Sequence, residues 1–88
     1  MMRTIVEEDR VSMLVDDTLP SWPRLREVLD GWYWRLSRDP GIGFEFEPGL
    51  FLIKTLEFSL EGVPFLTILY EFDEQEVRIL SIRAIESN

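Results

Sequence analysis

The chain has no cysteine and no histidine among its 88 residues. Without cysteine there is no disulfide and no thiolate metal site. Without histidine, the side chain that most often serves as general base and as zinc ligand is missing. No apolar run reaches the roughly 20 residues that span a bilayer. The start, MMRTIVEEDR, lacks the long apolar core of a secretory signal. These absences predict a cytoplasmic protein that does not engage a membrane. Positive charge is also scarce, with 9 Lys and Arg against 17 Asp and Glu, a net of −8. Residues 1–43 hold eight acids and six arginines, a net of −2; residues 44–88 hold nine acids and three bases, a net of −6. Such a surface repels phosphate backbones and favours basic partners, so nucleic acid is not expected as a ligand. No glycine loop cradles phosphate, because Gly41 and Gly43 precede FEFE, a strand pattern rather than a helix start. Glu45 and Glu47, or Asp73, Glu74 and Glu76, have no calcium-loop or two-metal spacing. No metal and no cofactor is expected.

What the chain does have is apolar material, 45% hydrophobic and 12% aromatic. That suffices for the core of one domain over residues 1–88, though a core of this size is modest. RTIVE is short and β-branched and reads as a strand, at a sheet edge. Val11, Leu14 and Val15 stand at i, i+3, i+4, the spacing of a short amphipathic helix, with Glu8 and Asp9 near its positive end. SWPRLREVLDGWYWRLSRDP is the clearest helix. Ser21 is placed to cap it and Pro23 to sit in its first turn. Leu25, Val28, Leu29, Trp32 and Leu36 share one face at about 100° per residue. Trp22 and Tyr33 fall at the margins of that face, and Trp34 points the opposite way. Gly31 allows close packing or marks a kink. Pro40 disfavours helical geometry at Asp39 and ends the helix there.

From residue 44 the period changes from helical to alternating. FEFE, GLFLIKTLEF, PFLTILYEF and EVRILSIRAI are strand-like, the first short, with SLEGV and DEQE between the later ones. Consecutive strands on short connections predict an α+β fold: an antiparallel meander with two N-terminal helices on one face, in the order β-α-α-β-β-β, with Phe44–Glu47 as an optional extra short strand. In PFLTILYEF, Leu66, Ile68, Tyr70 and Phe72 share the face expected to meet the helices. Phe65, Thr67, Leu69 and Glu71 share the other. In GLFLIKTLEF both parities are largely apolar, Leu50, Leu52 and Leu56 against Phe51 and Ile53. A one-sided sheet alternates more cleanly, and an uncovered apolar face marks an interaction site. A partner chain is therefore expected there.

The order of elements, the run Leu36-Ser37-Arg38-Asp39-Pro40-Gly41, Tyr70 within ILYEFD, and VRILSIR ending at Arg83 resemble the RelE/ParE toxin superfamily across nearly the whole chain. The resemblance implies a bacterial toxin–antitoxin module and a partner that is an antitoxin-like segment or an identical subunit. In members that cleave messenger RNA on the ribosome it also implies a basic cluster on the sheet with a C-terminal tyrosine or histidine. Such chemistry must deprotonate a 2′-hydroxyl, neutralise the phosphorane and protonate the leaving oxygen. Lys54, Arg78 and Arg83 fall near the basic positions. Thr67 stands where an arginine is usual, and SIRAIESN ends the chain without tyrosine or histidine. Nuclease activity is therefore expected to be weak or absent, and action by protein contact is expected instead. The other reading is a non-toxic acidic module that binds a basic protein. Arg78 and Arg83 lie an odd number of residues apart, so a regular strand puts them on opposite faces; only a bulge would unite them. The expected partner-binding residues are Trp34, Phe65, Thr67 and Leu69.

Overall fold

A computed structural model describes residues 2–85. The chain runs β1 (Thr4–Glu7), α1 (Asp9–Thr18), α2 (Leu25–Arg38), a 3-10 turn (Pro40–Ile42), β2 (Phe44–Glu47), β3 (Leu50–Lys54), β4 (Leu66–Phe72) and β5 (Glu76–Ala84). The five strands form one sheet in the order β1-β5-β4-β3-β2. The fold is α+β, as expected, and FEFE is a strand. The sheet is mixed, however, and not an antiparallel meander throughout. β2 to β5 pair antiparallel, but β1 pairs parallel with β5, Thr4 opposite Glu76 and Glu7 opposite Ile79. Two helices separate β1 from the hairpins, and such a long crossover permits a parallel neighbour where a tight turn would not.

The core lies between the helices and one face of the sheet. Val11 and Val15 of α1 and Leu25, Val28, Leu29, Trp32 and Leu36 of α2 meet Leu66, Ile68, Tyr70, Val77, Ile79 and Ile82. The helical face read from spacing is therefore the buried one, except that Leu14 stays 44% exposed. Trp32 sits within this cluster and also donates its indole N–H to the Phe58 carbonyl at 2.9 Å. Gly31 serves close packing and does not kink α2, since a Cβ there would come within 2.6 Å of the Phe58 ring.

α2 begins later than its sequence suggests. Ser21 does not cap it; its N–H bonds the Thr18 carbonyl in a turn, and α2 starts at Leu25. Pro23 disfavours helical geometry at Trp22 before it, and residues 19–24 lie outside both helices. The other end is as expected. Asp39 caps α2, with its N–H on the Arg35 carbonyl.

Beyond Asp39 the chain is anchored by one hydroxyl. Tyr70, fully buried at the middle of β4, donates to the Pro40 carbonyl at 2.5 Å and accepts the Gly43 N–H at 3.0 Å. Gly43 must lack a side chain, because a Cβ would collide with that hydroxyl. Burial pushes the Tyr70 phenol up to about 12, against the opposing pull of the Gly43 hydrogen bond, so it remains a donor at neutral pH.

Two stability measurements check this arrangement. Tyr70→Phe leaves the Pro40 carbonyl and the Gly43 N–H without their partner and should cost about 1–3 kcal/mol in denaturant unfolding. Trp32→Ala should cost about 3–5 kcal/mol, the range for a buried large aromatic. A near-neutral result for either would show that its contact does not hold the helix layer to the sheet.

Candidate functional site

The sheet face turned away from the helices is decided by one irregularity. β4 and β5 pair Glu71 with Arg78 and Tyr70 with Ile79, but the next pair is Leu69 with Ser81. Leu80 is therefore an extra residue in β5, a β-bulge, and it reverses the parity of the strand beyond it. Ile82 and Ala84 turn toward the helix side with Ile68 and Leu66. Ser81 and Arg83 turn outward with Leu69 and Thr67. Arg78 and Arg83, which a regular strand would separate, stand on the same face. The expectation of opposite faces is corrected by the bulge itself.

Register then defines rows across the outer face. Lys54, Thr67 and Arg83 form one row on β3, β4 and β5. Phe44, Leu52, Leu69 and Ser81 form the next, from β2 to β5. Glu71, Arg78 and Val6 form a third, from β4 to β1. Leu52, Thr67 and Leu69 are half-buried, whereas their inward-facing neighbours Ile68 and Tyr70 are completely buried. Both helices contribute their apolar sides to the core on the inner face, and α1 reaches this one only at its β5 rim.

The charges on the face are not equivalent. Arg78 is engaged by Glu76 at 2.6 Å and Glu71 at 3.3 Å, and the Glu76 hydrogen bond raises its already high pKa. Lys54 and Arg83 make no ion pair among the described residues. They flank Thr67 from neighbouring strands, so their backbones are about 10 Å apart at the usual strand spacing. The pair can hold a carboxylate or another anion. Moving a proton is another matter. The chain has no histidine and only two tyrosines. Tyr70 faces the core, and Tyr33 is buried and donates to Glu7 at 2.6 Å. Neither phenol reaches the outer face.

The expected partner-binding residues divide between two sides of the molecule. Thr67 and Leu69 lie at the centre of the outer face. Phe65, 46% exposed, just precedes β4 and borders an open hollow with Leu56, Leu60 and Pro64. Trp34 is 61% exposed, as its helical angle predicts, with the Arg38 guanidinium 4.0 Å over its ring. It projects from the solvent side of α2 and does not join the others. Leu52 enters the sequence reading only through the apolar parity of its strand, and Arg10 and Ser81 are not singled out there. Leu52 shares the parity of Lys54 and could have been found that way. Ser81 is placed by the bulge. Arg10 is brought beside Leu69, Leu80 and Arg83 only by the packing of α1, where they border an open depression of about 510 Å³.

A partly buried charged cluster belongs to the inner side. The Glu7 carboxylate accepts from Tyr33 Oη at 2.6 Å, Ser12 Oγ at 2.9 Å and Arg26 Nη1 at 3.0 Å. Burial opposes its ionisation, but the three hydrogen bonds and the Arg26 charge prevail and hold its pKa below the ordinary 4.5. Burial, then the neighbouring carboxylate, pushes the Tyr33 phenol far up. Every strong donor around Glu7 is already used, so the cluster ties β1 to both helices rather than forming a reactive centre. A carboxylate whose pKa is lowered on folding adds stability that is full above its unfolded pKa and is lost as pH falls through the folded value. Glu7→Gln should therefore flatten the loss of thermal stability on acidification below about pH 4.5, and calorimetry across that range checks it. An unchanged pH slope would show that Glu7 does not contribute. No protein-family model, curated protein or solved structure matches the chain.

Proposed function

We propose that the chain is a RelE/ParE-like protein of a bacterial toxin–antitoxin module that works by contact with a protein partner on its outer sheet face, with ribonuclease activity weak or absent. The observation that carries this reading is the face itself. Half-buried Leu52 and Leu69 lie between an end bearing Lys54 and Arg83 and an end bearing Glu71 and Arg78. The surface offers apolar area and charge for binding, and no histidine or tyrosine for proton transfer. The family part of the reading rests on the Leu36–Gly41 run and on the order of elements. The α+β arrangement, with α2 ending at Asp39 and Tyr70 in the strand that anchors that end, supports it. Thr67, where an arginine is usual, sits between two cations that make no ion pair among the described residues and leaves the cluster one charge short.

The alternative, a non-toxic acidic module for a basic partner, draws on the other end of the sheet. There Glu71, Asp73 and Glu76 border a hollow of about 250 Å³ with Gly49 and Phe72. Induced expression in a bacterial host separates the readings. Growth arrest that Leu69→Arg removes, from a variant still folded by circular dichroism, supports the first. Normal growth supports the second. In a purified translation system no ribosome-dependent cleavage of messenger RNA is expected. Cleavage that Arg83→Ala abolishes would overturn the contact mechanism.

A further inference from the structure

We infer that the cleft between α1 and the far end of β5 binds a small amphiphilic anion, a medium-length alkyl chain bearing a carboxylate. The inference goes beyond the reading of the outer sheet face as a protein contact and does not need it. Its basis is two adjoining hollows that share Leu14, Ile82 and Arg83.

The first hollow lies where β5 outruns its neighbour. β1 pairs with β5 only as far as Ile79, whereas β5 continues to Ala84. Beside that last stretch stand α1 and the turn that carries Trp22. Val15, Leu25, Leu66 and Ile82 form the floor, each almost fully buried. Leu14, 44% exposed, half-buried Trp22 and exposed Ala84 form the lip. The Thr18 hydroxyl in the wall is already committed to the Leu14 and Val15 carbonyls, at 2.9 and 3.1 Å. Such a lining suits an apolar body. The volume is about 330 Å³, within the range of small-ligand sites. At about 30 Å³ per heavy atom, the share of one molecule in liquid water, there is room for roughly eleven atoms.

The charge stands in the second hollow, which has a volume of about 510 Å³. It brings Arg10 of α1 together with Ser81 and Arg83 of β5. Both arginines are exposed. Neither makes an ion pair among the described residues, although α1 also carries Asp9, Asp16 and Asp17. In a chain of net charge −8, two arginines left without carboxylates around one hollow favour an anion from outside. Guanidinium matches a carboxylate through paired hydrogen bonds. Arg83 borders both hollows, so a head group held there can send its tail into the apolar one. A bare anion would leave the apolar cleft unfilled, and a neutral chain would leave the arginines without a counter-charge. An amphiphilic carboxylate satisfies both.

Titration of the isotope-labelled chain with sodium decanoate, followed by amide chemical shifts, tests the inference and monitors folding in the same spectra. Saturable shifts are expected at Leu14, Thr18, Trp22, Arg83 and Ala84. Acetate, which lacks the chain, and decanol, which lacks the charge, should each bind at least about tenfold more weakly. Arg10→Ser with Arg83→Ser should weaken decanoate about tenfold or more and leave decanol unchanged. Ala84→Phe, which fills the cleft from its exposed lip, should abolish binding. If that variant does not fold, the arginine pair, altered only at exposed side chains, decides. Decanoate that produces no saturable shifts at the cleft overturns the inference. So does binding that decanol matches, or binding indifferent to the arginine substitutions. A response to phosphatidylglycerol vesicles without one to decanoate would assign the arginines to a lipid surface and would also overturn it.

Discussion

The bulge at Leu80 is the constraint on which both faces of the sheet depend. Among the described residues, β5 pairs with β1 along Glu76–Ile79 and meets α1 beyond it, while pairing with β4 on its other side. A regular β5 would keep Val77 and Ile79 inside but would then turn Ile82 out and Arg83 toward the helices. Exposing an isoleucine forfeits about 1.5–3 kcal/mol, and an unpaired buried charge costs several more. One unpaired residue in the ladder avoids both penalties. It also sets Ser81 and Arg83 beside Leu69 and Thr67, so the same irregularity that completes the core creates the charged end of the outer face. Core and candidate surface are thus one solution to a single packing problem.

Two buried polar anchors fix the layers relative to one another. Glu7 joins β1 to Ser12 of α1 and to Arg26 and Tyr33 of α2. Tyr70 joins the middle of the sheet to the chain just past α2, through Pro40 and Gly43. Apolar contacts are nondirectional, and a core of this size leaves room for the helices to slide. Hydrogen bonds to buried groups are directional, and leaving them unmade is costly. The aromatic and basic end of α2, cut off by Asp39-Pro40, follows from this geometry. The helix must stop where Tyr70 can reach the next carbonyl, and glycine at position 43 lets the backbone pass close to the phenol.

The local features were legible in the sequence, and the ones that depend on distant pairing were not. The buried face of α2, its end at Asp39, the exposure of Trp34 and the inward set Leu66, Ile68 and Tyr70 all follow from periodicity and from proline. So did the strand at FEFE. The edge position of β1 was readable from its short β-branched run, but its parallel pairing with β5 was not, because a partner some seventy residues away leaves no local mark. Ser21 looked like a cap because capping chemistry is local, but Pro23 two residues later holds Trp22 out of the helix, which starts at Leu25. Leu14 had the right spacing and remains exposed, since α1 lies over the half of β5 that has no strand beyond it. The bulge has no signature in EVRILSIRAI. Strict alternation therefore gave the wrong partition for Arg83, and with it the candidate surface was only half visible.

A net charge of −8 says little about what a partner meets on this face. Thr67 and Glu71 lie four residues apart on β4, about 14 Å at the usual rise. The Debye length at physiological ionic strength is about 8 Å. The basic row of Lys54 and Arg83 is therefore largely screened from the acidic end of its own sheet, while a group seated directly on it is not. Global charge governs solubility and approach, and the local row governs register once contact is made. An acidic protein can in this way present a basic contact, provided the cations are kept from pairing with their own neighbours. Thr67 keeps them so. A carboxylate at that position would bind both cations within the chain, and an arginine would add repulsion to the row. A neutral side chain between Lys54 and Arg83 leaves both cations without a counter-charge among the described residues.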